Sequence, residues 1–316
     1  MCAFVTLTAF WLSYPGWRRD APAARRKRGF ARAFGWVIVP AKKLGNSRVT
    51  GKEQYYTDPE LAARLVDVML SIVGPDAVDR TWIEPAGGTG TFIDALAARG
   101  VRDIISVDIE PRHSSVEAGD FLAMPLSGEN LIALSNPPFG RANKLCIPFF
   151  NKLAQHCSHI GFIVPKSWRK WSVQDRLDPR FYLVHDEDLV VNYVDAAGAP
   201  LADGRTELNT VFQVWAARGE LRQPVRVADR GYIAKTSPAE ADVALTIFGH
   251  GCGTVRTEFP RVPNTTQMFL KLRDESVLAA LRRADLAQFY RNVAYIPALS
   301  ITEIRAALNE YFDQEN

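Results

Sequence analysis

Trp82-Ile83-Glu84-Pro85-Ala86-Gly87-Gly88-Thr89-Gly90-Thr91-Phe92 decides the fold of this 316-residue chain. Arg80 to Glu84 reads as a short strand, a glycine-rich loop follows, and Ile93 to Arg99 reads as a helix closed by Gly100. Strand, glycine loop, helix is the first unit of a doubly wound nucleotide-binding sheet. Ile93 stands where a dinucleotide fingerprint has its third glycine, so NAD is disfavoured. No Lys-Ser or Lys-Thr pair follows the glycines, so the loop is not a phosphate-cradling P-loop. It lets backbone approach a ligand closely without calling for a pyrophosphate.

Upstream, Gln54-Tyr55-Tyr56-Thr57-Asp58-Pro59 is a polar and aromatic turn. Thr57 or Asp58 can cap a helix whose first residue is Pro59. Leu61, Leu65, Val68, Met69 and Ile72 then recur at helical spacing until Gly74-Pro75. Downstream, Asp103 to Val107 reads as a second strand ending in Asp108, placed to accept from ribose hydroxyls. Asp120-Phe121 follows, where an acid can accept from an adenine amine while a ring covers its face. Leu131-Ile132-Ala133-Leu134 is a buried strand leading into Ser135-Asn136-Pro137-Pro138-Phe139-Gly140. The two prolines end ladder pairing and stiffen the turn, holding an amide beside a ring. Ligands in open α/β sheets bind beyond the carboxyl ends of the strands. Glu84, Asp108, Asp120 and Asn136 therefore read together as one site on one sheet edge.

Leu145 to His156 reads as a helix despite Pro148, and Ile160 to Pro165 as another buried strand. Lys166-Ser167-Trp168-Arg169-Lys170-Trp171 alternates cations and aromatics at that strand's tip. One reading is nucleic-acid contact through Lys166, Trp168, Arg169 and Lys170. The other is a helix start whose tryptophans pack on the body. Leu189 to Val194 and Thr210 to Ala216 read as an antiparallel pair flanking a Gly198–Gly204 loop and closing the sheet. Beyond it, Arg222 to Tyr232 and Val243 to Phe248 suggest short strands, and Gly249 to Gly253 a flexible loop. Glu275 to Tyr290 and Ser300 to Phe312 read as helices, the latter with Ser300 and Glu303 as a capping box.

The expected fold class is therefore α/β, a mostly parallel sheet with an antiparallel hairpin strand, plus a small C-terminal α+β segment. The expected domains are 1–50, 51–216 and 217–316. Residues 1–52 carry eleven Lys and Arg against one acid, so the overall +3 hides +10 there and −7 in the rest. Residues 1–50 read as a flexible extension, or as a basic arm for nucleic-acid phosphates. Their apolar run precedes the charges, the reverse of a secretory signal, and is too short and interrupted for a membrane span. Residues 217–316 hold 13 Lys and Arg against 12 acids, so no large cationic footprint is expected there. Four scattered cysteines (Cys2, Cys146, Cys157, Cys252) suggest free thiols in a reducing cytoplasm, and no metal site is expected.

In this order, Gln54-Tyr55-Tyr56-Thr57, the Glu84–Phe92 loop, Val107-Asp108, Gly119-Asp120-Phe121 and Asn136-Pro137-Pro138-Phe139 resemble the amino-group (N6-adenine) DNA methyltransferases in their gamma arrangement. The resemblance covers about residues 50–216 and implies a Rossmann-like methyltransferase sheet using S-adenosyl-L-methionine. It implies cofactor contacts from Tyr56, Thr57, Glu84, Pro85, Ala86, Gly87, Gly88 and Gly90. Glu84 would lie near the cofactor amino group, Asp108 would hold the ribose, and Asp120 with Phe121 the adenine. Asn136 and the Pro137 carbonyl, on a loop stiffened by Pro138, would accept from the target amine, and Phe139 would stack on the flipped base. It further implies DNA as partner, target recognition C-terminal to the sheet, and a restriction-modification, phage or mobile-element setting. No partner-nuclease signature is visible in the chain. RNA adenosine methylation, protein glutamine methylation and a non-catalytic nucleic-acid-binding subunit are the alternatives. No Pro-Cys dipeptide suggests cytosine C5 chemistry.

Overall fold

Asp58, Pro59 and Gly74 bracket the first helix, α1 (Pro59–Val73), as their chemistry dictates: the Asp58 carboxylate accepts from the amides of Glu60 and Leu61. The computed structural model describes residues 56–140, 143–189 and 209–315. The 1–50 extension, Gln54-Tyr55, the Gly198–Gly204 loop and all but Leu189 of the strand expected over Leu189 to Val194 lie outside the described residues.

Seven strands build the main sheet: β1 (Trp82–Glu84), β2 (Ile104–Asp108), β3 (Glu117–Ala118), β4 (Leu131–Ser135), β5 (Cys157–Pro165), β6 (Phe181–Leu189) and β7 (Thr210–Ala217). Their order is β3-β2-β1-β4-β5-β7-β6. The first five are parallel, and β7 runs antiparallel between β5 and β6. This is the expected α/β sheet, mostly parallel with an antiparallel hairpin. Between β1 and β4 the chain forms α2 (Thr91–Ala97), and between β4 and β5, α3 (Cys146–Leu153). β4 is buried at every position because both its faces are covered. Leu131 and Ala133 join the cluster containing Phe150 of α3, whereas Ile132 and Leu134 join the cluster containing Leu65 of α1 and Phe92 of α2.

Three details differ from expectation. Arg222 to Tyr232 is not a strand; β8 is Ile233–Lys235. Arg222 ties this stretch down instead, donating to the carbonyls of Gln174 (2.7 Å) and Phe181 (3.2 Å). β6 lies upstream of the expected 189–194 strand, hidden in the sequence by His185-Asp186-Glu187-Asp188. The helix expected over 275–290 breaks into α5 (Glu275–Arg283) and α6 (Ala287–Tyr290), because Ala284 turns extended.

The C-terminal residues form a second antiparallel sheet, β10-β9-β11-β8, from β9 (Val243–Phe248), β10 (Val255–Arg256) and β11 (Thr266–Leu272) with β8. Its core, with Leu245, Leu270, Val277 and Leu281, packs against α7 (Ile301–Glu315). The expected capping box forms: Ser300 N donates to Glu303 Oε2 (2.8 Å), and Glu303 N donates to Ser300 Oγ (3.2 Å). The Gly249–Gly253 loop is a hydrogen-bonded turn with Cys252 buried. No helix among the described residues is long and apolar enough to cross a membrane.

A buried ion pair fastens this second sheet's elements to the first. Lys170 Nζ, just past the end of β5, lies 2.7 Å from Glu303 Oε1 and also donates to the Ala298 carbonyl. Lys170→Met keeps the stem and removes the charge, leaving a buried carboxylate held by the Ser300 amide. We expect about 1–2 kcal/mol less stability by urea unfolding, and non-additivity with Glu303→Gln. Additive single effects would remove this pair as a fastening.

Candidate functional site

β1, β2, β4 and β5 are parallel, so Glu84, Asp108, Ser135-Asn136 and Pro165-Lys166 all emerge at one edge. A positive φ at Gly88 (+46°) and Gly90 (+78°) turns the loop after β1 back toward this edge. Gly88 N then donates to Asp108 Oδ2 (2.9 Å), and Glu110 N to Asp108 Oδ1 (2.8 Å). Each oxygen keeps a further lone pair for a hydroxyl donor. Tyr56 lies over the loop: a Cβ at Gly88 would sit 3.1 Å from its ring.

Glu84 is 2 % exposed at the base of the edge. Its Oε1 accepts from Ser135 Oγ and from Ala86 N (3.3 Å), while Oε2 is buried with no hydrogen-bond partner. Burial pushes its pKa well above the usual carboxylate range, against the downward pull of those two donors. A buried oxygen without a partner is costly unless a ligand supplies a donor or a cation. Pro85 is buried beside it, and Ala86 and Gly87 are half-buried.

Asn136 Nδ2 donates to Thr57 Oγ1 (3.3 Å), and Thr57 is 5 % exposed. The bond joins the Asn-Pro-Pro loop to the Tyr-Thr segment over the glycine loop, across 79 residues of sequence. With the amide's donor end toward Thr57, its Oδ1 acceptor faces the other way. Pro137 is buried and Pro138 half-buried.

Three expected aromatic positions are filled differently. Phe139 is 7 % exposed and packs in the cluster of α1 and α2, so it offers no open face to a base. Phe121 is 2 % exposed, its ring 5.0 Å from Phe149 and under the Lys152 ammonium, which donates to the Phe121 carbonyl. The Asp120 turn, in which Leu122 N donates to Asp120 Oδ1 (2.9 Å), puts Leu122 outward instead. Trp168 is fully buried, edge-on to Phe150 and Phe162. The cations beside it all meet acids: Lys166 with Asp188 (2.7 Å), Arg169 with Asp186 (2.7 Å) and Asp188 (2.6 Å), and Lys170 with Glu303. Lys166 to Lys170 thus packs on the body, the second of its two sequence readings, and presents no stacking ring.

Two residues that no sequence pattern marks lie beside Asp108 and the glycine loop. Ile109, next to Asp108, is 71 % exposed. His113 covers the glycine loop, accepting from Ser115 N at Nδ1 (3.1 Å), with Nε2 3.4 Å from Asp94. A Cβ on Gly90 would lie 2.4 Å from the His113 ring. Gly90→Ala should cost about 1–3 kcal/mol of stability by urea unfolding, partly restored by His113→Ala. An unchanged midpoint would mean that neither the left-handed backbone at Gly90 nor the His113 ring resists a side chain there. Among the described residues, no group of three His, Cys, Asp or Glu side chains is placed to hold a metal ion.

No family model and no curated protein matches the chain. Several solved structures share part of its course. A candidate RNA methyltransferase from Pyrococcus horikoshii is 19 % identical over 52 % of this chain and 87 % of its own, with a TM-score of 0.41. A candidate class I S-adenosylmethionine-dependent methyltransferase from Listeria monocytogenes is 13 % identical, covering 53 % and 62 %, at 0.36. The type IIG restriction endonuclease BpuSI is 12 % identical, covering 72 % of this chain and 32 % of its own, at 0.37. These likenesses are too distant to carry an argument, so the assignment of a mostly parallel α/β sheet with an antiparallel hairpin rests on the chain's own strand order.

Proposed function

We propose that the chain is an S-adenosylmethionine-dependent methyltransferase acting on the exocyclic N6 amine of adenine in DNA. The observation that carries this reading is the Asn136–Thr57 hydrogen bond, which ties a rigid amide at the tip of β4 to the segment over the glycine loop.

The residues present fit the cofactor. The Glu84 Oε2 that lacks a partner suits its ammonium, Asp108 suits two ribose hydroxyls, and exposed Ile109 and Leu122 suit the faces of its adenine in place of Phe121. When bound, S-adenosylmethionine supplies a methyl group on positively charged sulfur, displaced as a thioether. The amine of adenine is a poor nucleophile because its lone pair is delocalised into the ring. Asn136 Oδ1 and the Pro137 carbonyl accept hydrogen bonds from its two N–H groups, draw the hydrogens out of plane and localise that pair; once nitrogen bears the methyl group, one of those protons is released to water. The same acceptors stabilise the positive charge that builds on nitrogen. The stiff prolines hold this geometry, and alignment of donor and acceptor supplies much of the rest. The target base must leave its stack, at roughly a few kcal/mol.

Calorimetric titration should give one S-adenosylmethionine bound per chain, and matched DNA and RNA of one sequence should show methyl incorporation in DNA. Absence of cofactor binding, or transfer to RNA alone, would overturn the corresponding half of the reading.

A further inference from the structure

We propose that Tyr295, Ile296 and Phe248 form a stacking platform for an unpaired stretch of DNA beside the Asn136 site. The proposal rests on the reading that this edge accepts an adenine from DNA, and it names the state of the strand that delivers it.

The platform stands on the ligand edge. Thr210 pairs with Pro165 at the end of β5, Asn209 O accepts from Lys166 N (2.9 Å), and Asn209 N donates to Ala294 O (3.1 Å). The segment 292–298 therefore meets the edge at the start of β7, two strands from β4, which carries Asn136. Its far end is fixed to β9: Phe248 bridges Ala298, Gly249 N donates to Pro297 O (3.1 Å), and Leu299 N donates to Ile247 O (2.8 Å). From β4 to β7 is two strand spacings, roughly 10 Å, about three stacked base steps of 3.4 Å.

The side chains there are uncommonly open. Tyr295 is 55 % exposed, Ile296 50 % and Phe248 41 %. Among the described residues, Tyr295 and Phe248 are the aromatics in the exposed class. The other rings of this edge, Phe121, Phe139 and Trp168, are packed inward.

Charge selects the occupant. Duplex DNA is held chiefly through phosphates by surplus cations. Residues 217–316 have 13 Lys and Arg against 12 acids, and Arg230, Lys271, Arg273 and Arg305 are each matched by an aspartate. Duplex and single strand alike carry phosphates that a lobe without cationic surplus does not attract, but only the single strand also offers bare base faces to exposed rings, and stacking on aromatics tolerates any sequence.

Fluorescence anisotropy of the full chain with a labelled adenine-containing oligodeoxynucleotide tests this. The single strand should bind at least about ten-fold more tightly than its blunt duplex. Tyr295→Ala should weaken single-strand binding by roughly ten-fold and leave duplex binding unchanged, while Tyr295→Phe stays within about two-fold of wild type. Thermal midpoints and cofactor titration on the same samples verify folding. Equal binding by Tyr295→Ala, a preference for duplex, or tighter binding of the matched RNA would overturn the proposal. If the chain bound no cofactor yet kept this Tyr295 dependence, the enzymatic reading would fall and the platform would stand.

Discussion

Asn136→Ala should lower the rate of methyl transfer by about 10²–10³-fold or more, the loss expected for a preorganised group removed from a charge-building centre. Cofactor affinity should change by less than about three-fold, because the side chain reaches the Tyr-Thr segment through the Thr57 hydroxyl, while Glu84 and Asp108, which suit the cofactor's ammonium and ribose, are left intact. Asn136→Asp should be intermediate: an acceptor oxygen remains, but the donor to Thr57 is lost. Thr57→Val should share part of the rate loss and Thr57→Ser restore it. Single-turnover rates, with the cofactor Kd measured separately, check this. A wild-type rate for Asn136→Ala would remove Asn136 from the chemistry.

Glu84→Gln should have opposite effects on stability and on binding. Burial raises the Glu84 pKa in the fold, so at pH values between the unfolded and folded pKa the folded chain holds a proton that the unfolded chain releases. The stability from that proton is fully present below the unfolded value and is lost as pH rises toward the folded one. Glutamine, always neutral, escapes the loss, and at neutral pH the cofactor-free variant should melt higher than wild type. Cofactor binding should weaken by about 2–5 kcal/mol, since one partner of a buried charge pair is gone. Pairing with an ammonium favours the ionised carboxylate, so binding to wild type should release a proton and strengthen with pH. Titrations in buffers of different ionisation heat would detect that proton. A variant that melts lower and binds equally well would make Glu84 a structural residue.

The sheet was legible because its signals are local. Glu84 through Phe92 spells strand, glycine loop and helix, and Leu131 to Leu134 is continuously apolar because both faces are covered. β6 was not legible: its acids make sense only once Arg64, Lys166 and Arg169, distant in sequence, stand opposite them. Ring direction was equally hidden. Phe121 and Phe139 follow polar site residues, but a turn at Asp120 and a left-handed Gly140 after Phe139 (φ +66°) accompany rings packed inward. His113 lies against the glycine loop because Gly90 has no side chain, and the segment holding Tyr295 is drawn to the start of β7 because Asn209 bonds to Ala294. Neither contact has a trace in sequence spacing.

The most direct test of the central claim is mass spectrometry of nucleosides released from DNA incubated with the full chain and S-adenosylmethionine carrying a deuterated methyl group. The account predicts the label on N6 of deoxyadenosine, absent with Asn136→Ala. Label on a cytosine carbon, on a protein glutamine, or on no nucleoside although the cofactor binds would contradict it.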